Sequence, residues 1–323
     1  MKLVRAAQLC MLSIFLLLFW RAGSCAPIRI GYSALGAVFT PLWVAQDEGY
    51  FKREGLETET VYVGGGSVVI QALIAGDLQF ALAGATGAVR ATLNGADVKL
   101  IANTMTSMDF HLISRPEIAS LGALKGKKIG VTRLGGNTDF ALDIVLKKAG
   151  LTRGADVNVL QTGGMPQMMG ALQAGGLDAG VITAVLALSA EKRGFRRLVD
   201  FAELEIPYPL APLMARESYI RSHRDIVRRF LRAYVEALHR VLTDRETALR
   251  ILAKYTRTDD MDTLASTYRH YRSRYLKKIY VDLEGVRNLL RFEFKDAGGH
   301  AAERFVDNSF VVELDREGMF EKR

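Results

Sequence analysis

The chain has 323 residues, of which 49% are hydrophobic and 24% are charged, and its formal net charge is +8. A chain of this length can bury a sizeable core and is expected to form two domains, and its composition excludes a low-complexity or fibrous protein. The positive excess is mild, so it does not indicate a nucleic-acid-binding protein.

Residues 1–26 are predicted to be a secretory signal peptide. Two basic residues, Lys2 and Arg5, precede an apolar run over residues 9–20, which is too short to span a bilayer as a helix. Small residues follow, as expected before a cleavage site. The protein is therefore expected in the periplasm or another extracytoplasmic compartment, which argues against nucleic acid as a partner.

Both cysteines, Cys10 and Cys25, lie in or beside this segment. The mature chain is therefore expected to have neither a disulfide nor thiol chemistry. The small residues before Cys25 leave open a lipoprotein, in which this cysteine is acylated. Ala22 stands where such signals usually carry leucine, so we favour a soluble secreted protein.

Predicted strands alternate with predicted helices over the next part of the chain, which implies parallel pairing and right-handed crossovers. Strands are predicted at residues 28–33, 57–63, 79–83, 99–104, 110–115, 128–132, 157–161, 178–183 and 210–215. Helices are predicted at 40–54, 67–75, 137–149 and 166–174, another opens at 84–86, and the chain is mostly helical from residue 217.

The segment over residues 61–86 recurs 99 residues further along the chain. Gly65 falls on Gly164 at this offset, and Ile30 falls on Ile129 without a gap in the register. A repeat of this length indicates two related α/β units, because a solenoid needs three or more short units.

These two units predict a two-lobed α/β protein. We assign residues 27–112 and 213–323 to the first lobe and residues 113–212 to the second. The chain would cross between the lobes near residues 112–118 and 205–212, and two crossings make a hinge.

Six strand-to-helix turns, three in each lobe, are predicted to face a shared cleft. Ligands of parallel sheets sit beyond the carboxyl ends of the strands, where helix N-termini carry unpaired N–H groups and partial positive charge. A single glycine turn is more often only a tight connection, but six such turns together indicate a cleft for a small polar or anionic molecule. Their polar residues are Ser33, Ser67, Thr86, Thr132, Asn137, Thr138 and Thr183.

Arg133 follows a predicted strand directly, where a cleft would lie. Its guanidinium could pair with a carboxylate, sulfonate or phosphate of a ligand. An equally favoured alternative is that Arg133 forms a solvated or an interlobe ion pair and does not contact a ligand. Phe39, Trp43 and Tyr208 could line an apolar wall of the cleft, although aromatic residues at such places are more often core.

Several kinds of chemistry are excluded by missing motifs. The chain has no P-loop, no G-x-G-x-x-G, no G-x-S-x-G and no H-E-x-x-H. The histidines are scattered and none has a ligand partner four residues away, so we expect surface or packing roles and no metal or other cofactor. These histidines are His111, His223, His239, His270 and His300.

Two basic clusters occur in the helical C-terminal part. A solvated helix face is the favoured interpretation, and docking to a membrane protein or to anionic lipid is the alternative. The first cluster is Arg221, Arg224, Arg228, Arg229 and Arg232, and the second is Arg269, Arg272, Arg274, Lys277 and Lys278.

The chain resembles the nitrate/sulfonate/taurine-type (NMT1/THI5-like) substrate-binding proteins of bacterial ABC importers. The resemblance rests on the run P-L-W-V-A-x-x-x-G-Y-F-x-x-x-G-L from Pro41, the G-G-S turn at Gly65 and the Q-A-L-x-A-G-D helix from Gln71. The segments LKGKKIGVTRLGG and FVDNSFVVELDREGMF add to it.

This resemblance implies a periplasmic-binding-protein fold of type II, with two interlobe crossings and a mostly parallel sheet in each lobe. It also implies that a ligand held between the lobes is delivered to an ABC permease. Family members take nitrate, sulfonates, pyrimidines and aromatic acids, and Arg133 favours an organic anion, such as a sulfonate, a carboxylate or an aromatic acid; we expect a monomer. The ligand-binding positions that match are Ser33, Gly65, Gly66, Thr86, Arg133, Asn137, Thr138 and Thr183, and we add Phe39 as an apolar contact.

Two alternatives remain open beside the transport receptor. One is an enzyme like the thiamine-pyrimidine synthase that shares this fold, and the missing cysteine cluster speaks against it. The other is a sensor module that presents its ligand to a membrane receptor. Both use a two-lobed fold, so fold alone would not separate them.

Overall fold

The computed structural model describes residues 26–294 and 299–321, so the predicted signal peptide and Cys25 lie outside the described residues. Ten strands run in chain order: β1 (Ile28–Tyr32), β2 (Thr58–Tyr62), β3 (Phe80–Leu82), β4 (Val98–Ala102), β5 (Phe110–Ser114), β6 (Lys128–Val131), β7 (Asn158–Gln161), β8 (Ala179–Thr183), β9 (Arg196–Asp200) and β10 (Leu213–Arg216).

The helices of the described ranges cover both sheets. In chain order they are α1 (Thr40–Asp47), α2 (Tyr50–Arg53), α3 (Gly66–Ala75), α4 (Ala85–Leu93), α5 (Asn137–Lys148), α6 (Met165–Gln173), α7 (Ala184–Glu191), α8 (Glu217–Ser222), α9 (Arg224–Thr243), α10 (Arg245–Thr256), α11 (Met261–Arg272), α12 (Leu283–Glu293) and α13 (Ser309–Arg316).

The two sheets repeat one another, as the sequence offset predicts. Their strand orders are β2-β1-β3-β10-β4 and β7-β6-β8-β5-β9. Arg29 pairs with Glu59 in the first sheet, and Lys128 pairs with Asn158 in the second, 99 residues further along. The two-lobed architecture is therefore confirmed down to the strand register.

One strand in each sheet runs against its neighbours, and it is the first strand after a crossing. β10 is antiparallel to β3 and β4, and β5 is antiparallel to β8 and β9. Because β5 belongs to the second sheet, the chain leaves the first sheet between Ala102 and Phe110. The predicted boundary at residue 112 falls inside β5 and is corrected to this earlier segment.

The predicted return of the chain to the first sheet is observed as β10. The strand that sequence reasoning missed is β9, whose first residues, Arg196 and Arg197, are exposed. It lies at the edge of the second sheet, so it lacks the apolar alternation that marks a half-buried strand.

The first basic cluster is neutralised by the chain itself. Arg224 pairs with Glu313 at 2.8 Å, and Arg228 pairs with Glu317 at 2.6 Å, which ties α9 to the C-terminal α13 segment. Arg232 bonds Glu54 beside α2 at 3.3 Å. Over the described ranges, no helix combines the length and the hydrophobicity that crossing a membrane requires.

His111 on β5 is a packing residue, with 3% of its surface exposed. Burial lowers the pKa of His111 despite the attraction of Asp200 and Asp109. The unfolded chain therefore binds a proton at His111 that the folded protein excludes. We expect the free energy of unfolding to fall as the pH drops below about 6.5, the ordinary histidine value.

Urea unfolding at several pH values measures this slope. His111→Gln should flatten the slope below pH about 6.5, since glutamine does not titrate. An identical slope in the variant and in the unaltered protein would show that His111 is not its source.

Candidate functional site

The matching glycine turns of the two lobes face one another. An ideal Cβ at Gly64 would lie 3.0 Å from the carbonyl oxygen of Gly163, its partner in the repeat. A Cβ at Gly36 would lie 3.2 Å from Thr183 Cγ2. We call this contact zone the interlobe seam, formed by Gly36, Gly64, Gly65 and Gly84 of the first lobe and Arg133, Asn137, Gly163 and Thr183 of the second.

The seam follows the repeat in its backbone but not in its polar residues. The offset of 99 places Ala34 at the position of Arg133 and Gly84 at the position of Thr183. The second lobe therefore supplies a cation and a hydroxyl where the first lobe supplies small apolar residues. Any ligand held there meets two chemically different walls.

Arg133 is a half-buried cation without a carboxylate partner in the described ranges. Its side chain packs on Gly65, where a Cβ would lie 2.2 Å from Arg133 Cγ and where φ is +93°. Its Nε donates a 3.4 Å hydrogen bond to the Gly64 carbonyl. The interlobe ion pair considered from the sequence is thus not formed, and most of the guanidinium donors stay available.

A cavity of about 470 Å³ opens beside Arg133 between the two lobes. It lies between α3, α4 and the turn after β6, and Arg90 also lines it. Arg90 is already paired with Glu293 of α12. Arg133 is therefore the lining arginine that can receive an anion without breaking an existing ion pair.

Three residues predicted to contact the ligand are bonded to protein instead. Asn137 accepts from the Tyr208 hydroxyl at 2.8 Å and donates to the Leu210 carbonyl at 3.1 Å. Thr86 bonds the same Tyr208 hydroxyl at 3.0 Å. Thr138 accepts from the Thr132 amide at 3.0 Å and also bonds its hydroxyl.

These bonds give Asn137, Thr86 and Thr138 partners within the protein, and their contacts with a ligand stay predictions. Tyr208 lies in the second crossing, is fully buried, and joins α4 of the first lobe to α5 of the second. Burial raises the pKa of Tyr208, so the phenol stays protonated and can donate. The three residues therefore hold the hinge and a turn in place.

Phe39 belongs to the core, which is the alternative that the sequence left open for it. It is 3% exposed, and its ring lies 5.7 Å from the Tyr32 ring and 6.3 Å from the Trp43 ring. This packing favours the core interpretation, and a contact between Phe39 and a ligand stays a prediction.

The remaining predicted residues shape the seam. The Ser33 carbonyl accepts from the Gly65 amide at 3.1 Å, which joins two neighbouring turns, and Gly66 begins α3. Thr183 is 4% exposed, and its hydroxyl has no hydrogen-bond partner among the described residues. Ser33, Gly65, Gly66, Arg133 and Thr183 thus remain available to a ligand as proposed contacts.

Tyr62 at the end of β2 is a seam residue that sequence reasoning missed. A Cβ at Gly164 would lie 3.1 Å from the Tyr62 hydroxyl. The repeat held a sequence signal for it, because another polar residue, Gln161, stands at the matching position. Gln161 accepts a hydrogen bond from the Leu134 amide at 3.1 Å.

Comparisons with known proteins agree on the family and the fold. A family model described as NMT1/THI5 like matches residues 37–248. The chain is 27% identical over 264 residues to a Brucella abortus protein that bears the name "Putative binding protein", covering 79% of this chain and 80% of that one.

Solved structures show the same architecture at low identity. The alkanesulfonate-binding protein SsuA from Xanthomonas axonopodis pv. citri, bound to MOPS, superposes with a TM-score of 0.74 at 19% identity, covering 89% of this chain and all of that one. The desulfurization enzyme DszB superposes with a TM-score of 0.66 at 15% identity, covering 90% and 99%. The predicted periplasmic-binding-protein fold is confirmed, and this fold also occurs in an enzyme.

Proposed function

The chain belongs to the NMT1/THI5-like family, and from that premise we propose that it is an extracytoplasmic solute-binding protein of an ABC importer. It captures a small organic anion, such as a sulfonate, a carboxylate or an aromatic acid, between its lobes and delivers it to a membrane permease. Residues 1–26 direct its secretion into the periplasm, and it works as a monomer without cofactor or catalysis.

The unpaired guanidinium of Arg133 carries this proposal. It lies where the two lobes meet, beside a cavity and two glycine turns. A half-buried arginine with free donors is stabilised by an anion that accepts charge-assisted hydrogen bonds. The glycine turns let backbone N–H groups approach the same anion.

We expect Arg133→Ala to weaken binding of the captured anion by at least tenfold, because one charge-assisted pair contributes about 1.5–3 kcal/mol. A thermal-shift screen of sulfonates, carboxylates and aromatic acids identifies the anion, since a ligand of the folded form raises the melting temperature. Calorimetry then compares the two proteins.

Arg193→Ala is the matched control, because Arg193 is exposed on the same lobe just after α7. Equal affinity in Arg133→Ala and in the control would remove Arg133 from the site. Uptake of the identified anion by cells with and without this gene distinguishes a transport receptor from a sensor module.

A further inference from the structure

Thr183 ends β8 and precedes α7. Its hydroxyl is buried at the seam without a hydrogen-bond partner among the described residues. Its Cγ2 methyl lies against Gly36, and its Oγ1 bonds no atom of the described ranges. The first N–H groups of α7, like those of any helix, have no intrahelical partners and carry partial positive charge, and no side chain caps them. Burying a hydroxyl unpaired costs about 1–3 kcal/mol, so the closed seam gains from an acceptor here.

The matching position in the first lobe is complete without a ligand. Gly84 stands there, and the amide of Asn137 lies against it with both ends bonded, to Tyr208 and to the Leu210 carbonyl. At the Gly84 end of the seam, protein groups therefore satisfy the hydrogen bonds of the Asn137 amide. At the Thr183 end, the hydroxyl has no such partner in the described ranges.

The two unmatched groups, on Arg133 and Thr183, lie far apart. Arg133 Nη2 is 3.9 Å from the Cβ position of Gly163, which follows β7, whereas Thr183 ends β8. β6 lies between β7 and β8 in the sheet, so two strand spacings, roughly 10 Å, separate the two places. A single anionic group cannot bond both.

We propose that the captured solute is a two-headed anion, that is, a molecule with one anionic group at each end. This inference rests on the proposed function. One head pairs with the Arg133 guanidinium. The second head, a carboxylate or a sulfonate, accepts hydrogen bonds from the Thr183 hydroxyl and from the first N–H groups of α7. A one-headed anion leaves this hydroxyl buried without a partner, so closure around it is weaker.

Two matched sets of probes test this inference by calorimetry. One set is linear alkanesulfonates, and the other is the same chains with a terminal carboxylate, with about three to six methylenes to cover a separation of roughly 10 Å. In the unaltered protein, the best two-headed probe should bind at least tenfold tighter than its one-headed counterpart.

Thr183→Val removes the hydroxyl and keeps the shape of the side chain. It should abolish the preference for two heads, so that a two-headed probe and its one-headed counterpart bind equally, and leave the melting temperature of the free protein unchanged or higher, because the lost hydroxyl had no partner. Thr183→Ser should retain the preference. Thr138→Val is the contrasting control, since its hydroxyl is bonded and its loss should lower the melting temperature.

The outcomes separate the two proposals. If one-headed anions bind through Arg133 and the second head adds nothing, or if Thr183→Val weakens both probe sets equally, the two-headed ligand is refuted while the binding function stands. If neither set binds but the thermal-shift screen identifies a one-headed anion, the two-headed ligand is refuted while the binding function stands. If no sulfonate, carboxylate or aromatic acid binds, the proposed function fails and the two-headed ligand with it.

Discussion

Replacing Gly84 by alanine is expected to hold the two lobes apart and to weaken binding of the captured anion about 100-fold. An ideal Cβ at this position would lie 1.3 Å from Asn137 Oδ1 and 1.7 Å from its Cγ. The φ of Gly84 is −68°, so the backbone accepts alanine and the obstacle is space alone. The amide of Asn137 can leave only by giving up its bonds to Tyr208 and Leu210, at a cost of roughly 2–3 kcal/mol.

Small-angle scattering with and without ligand measures closure, and calorimetry measures affinity. Gly170→Ala is the matched control, because Gly170 lies inside α6 and a Cβ there meets nothing within 4 Å. Adding Asn137→Gly to Gly84→Ala removes the clash and should restore part of the closure. A Gly84→Ala variant that closes and binds normally would disprove the steric role of this contact.

Tyr208→Phe is expected to lower the free energy of unfolding by roughly 2 kcal/mol and to loosen the hinge. The lost hydroxyl leaves the buried Thr86 hydroxyl and the partly buried Asn137 oxygen without their shared partner, and an unpaired buried group costs about 1–3 kcal/mol. The closed arrangement should lose more than the open one, because the Asn137 bond spans a crossing and the second lobe.

Urea unfolding measures the stability of this variant, and ligand titration measures its closure. Tyr280→Phe serves as control: its hydroxyl bonds Asp315 at 3.0 Å, a partner in the C-terminal part of the chain that belongs to neither crossing. It should leave ligand affinity unchanged. Equal losses of affinity in Tyr208→Phe and Tyr280→Phe would show that Tyr208 has no special role at the hinge.

The repeat made the fold predictable from the sequence. Because Gly65 and Gly164 share one offset with the strands before them, the register of both sheets and the meeting of their turns follow from one observation. The edge strand β9 carried no such signal. The first crossing was placed too late, because β5 is buried along its whole length and the sheet to which it belongs cannot be read from its own residues.

The candidate site was only partly predictable. Arg133 stood out because it directly follows a predicted strand, and Thr183 was one of the polar residues of the predicted cleft turns. Thr86 and Asn137 carry the same kind of polar side chain in the same kind of turn. Their hydrogen bonds go to Tyr208, which lies in the second crossing and is distant from both along the chain.

The amino-acid sequence by itself determined two related α/β lobes, their strand register and the glycine turns that face one another. These features depend on local patterns of apolar residues and glycine, which act over a few neighbouring residues. Only the tertiary structure decided which polar side chains are satisfied by the protein and which remain free. That distinction depends on partners such as Tyr208 and Leu210, which the two crossings bring to the seam from far along the chain.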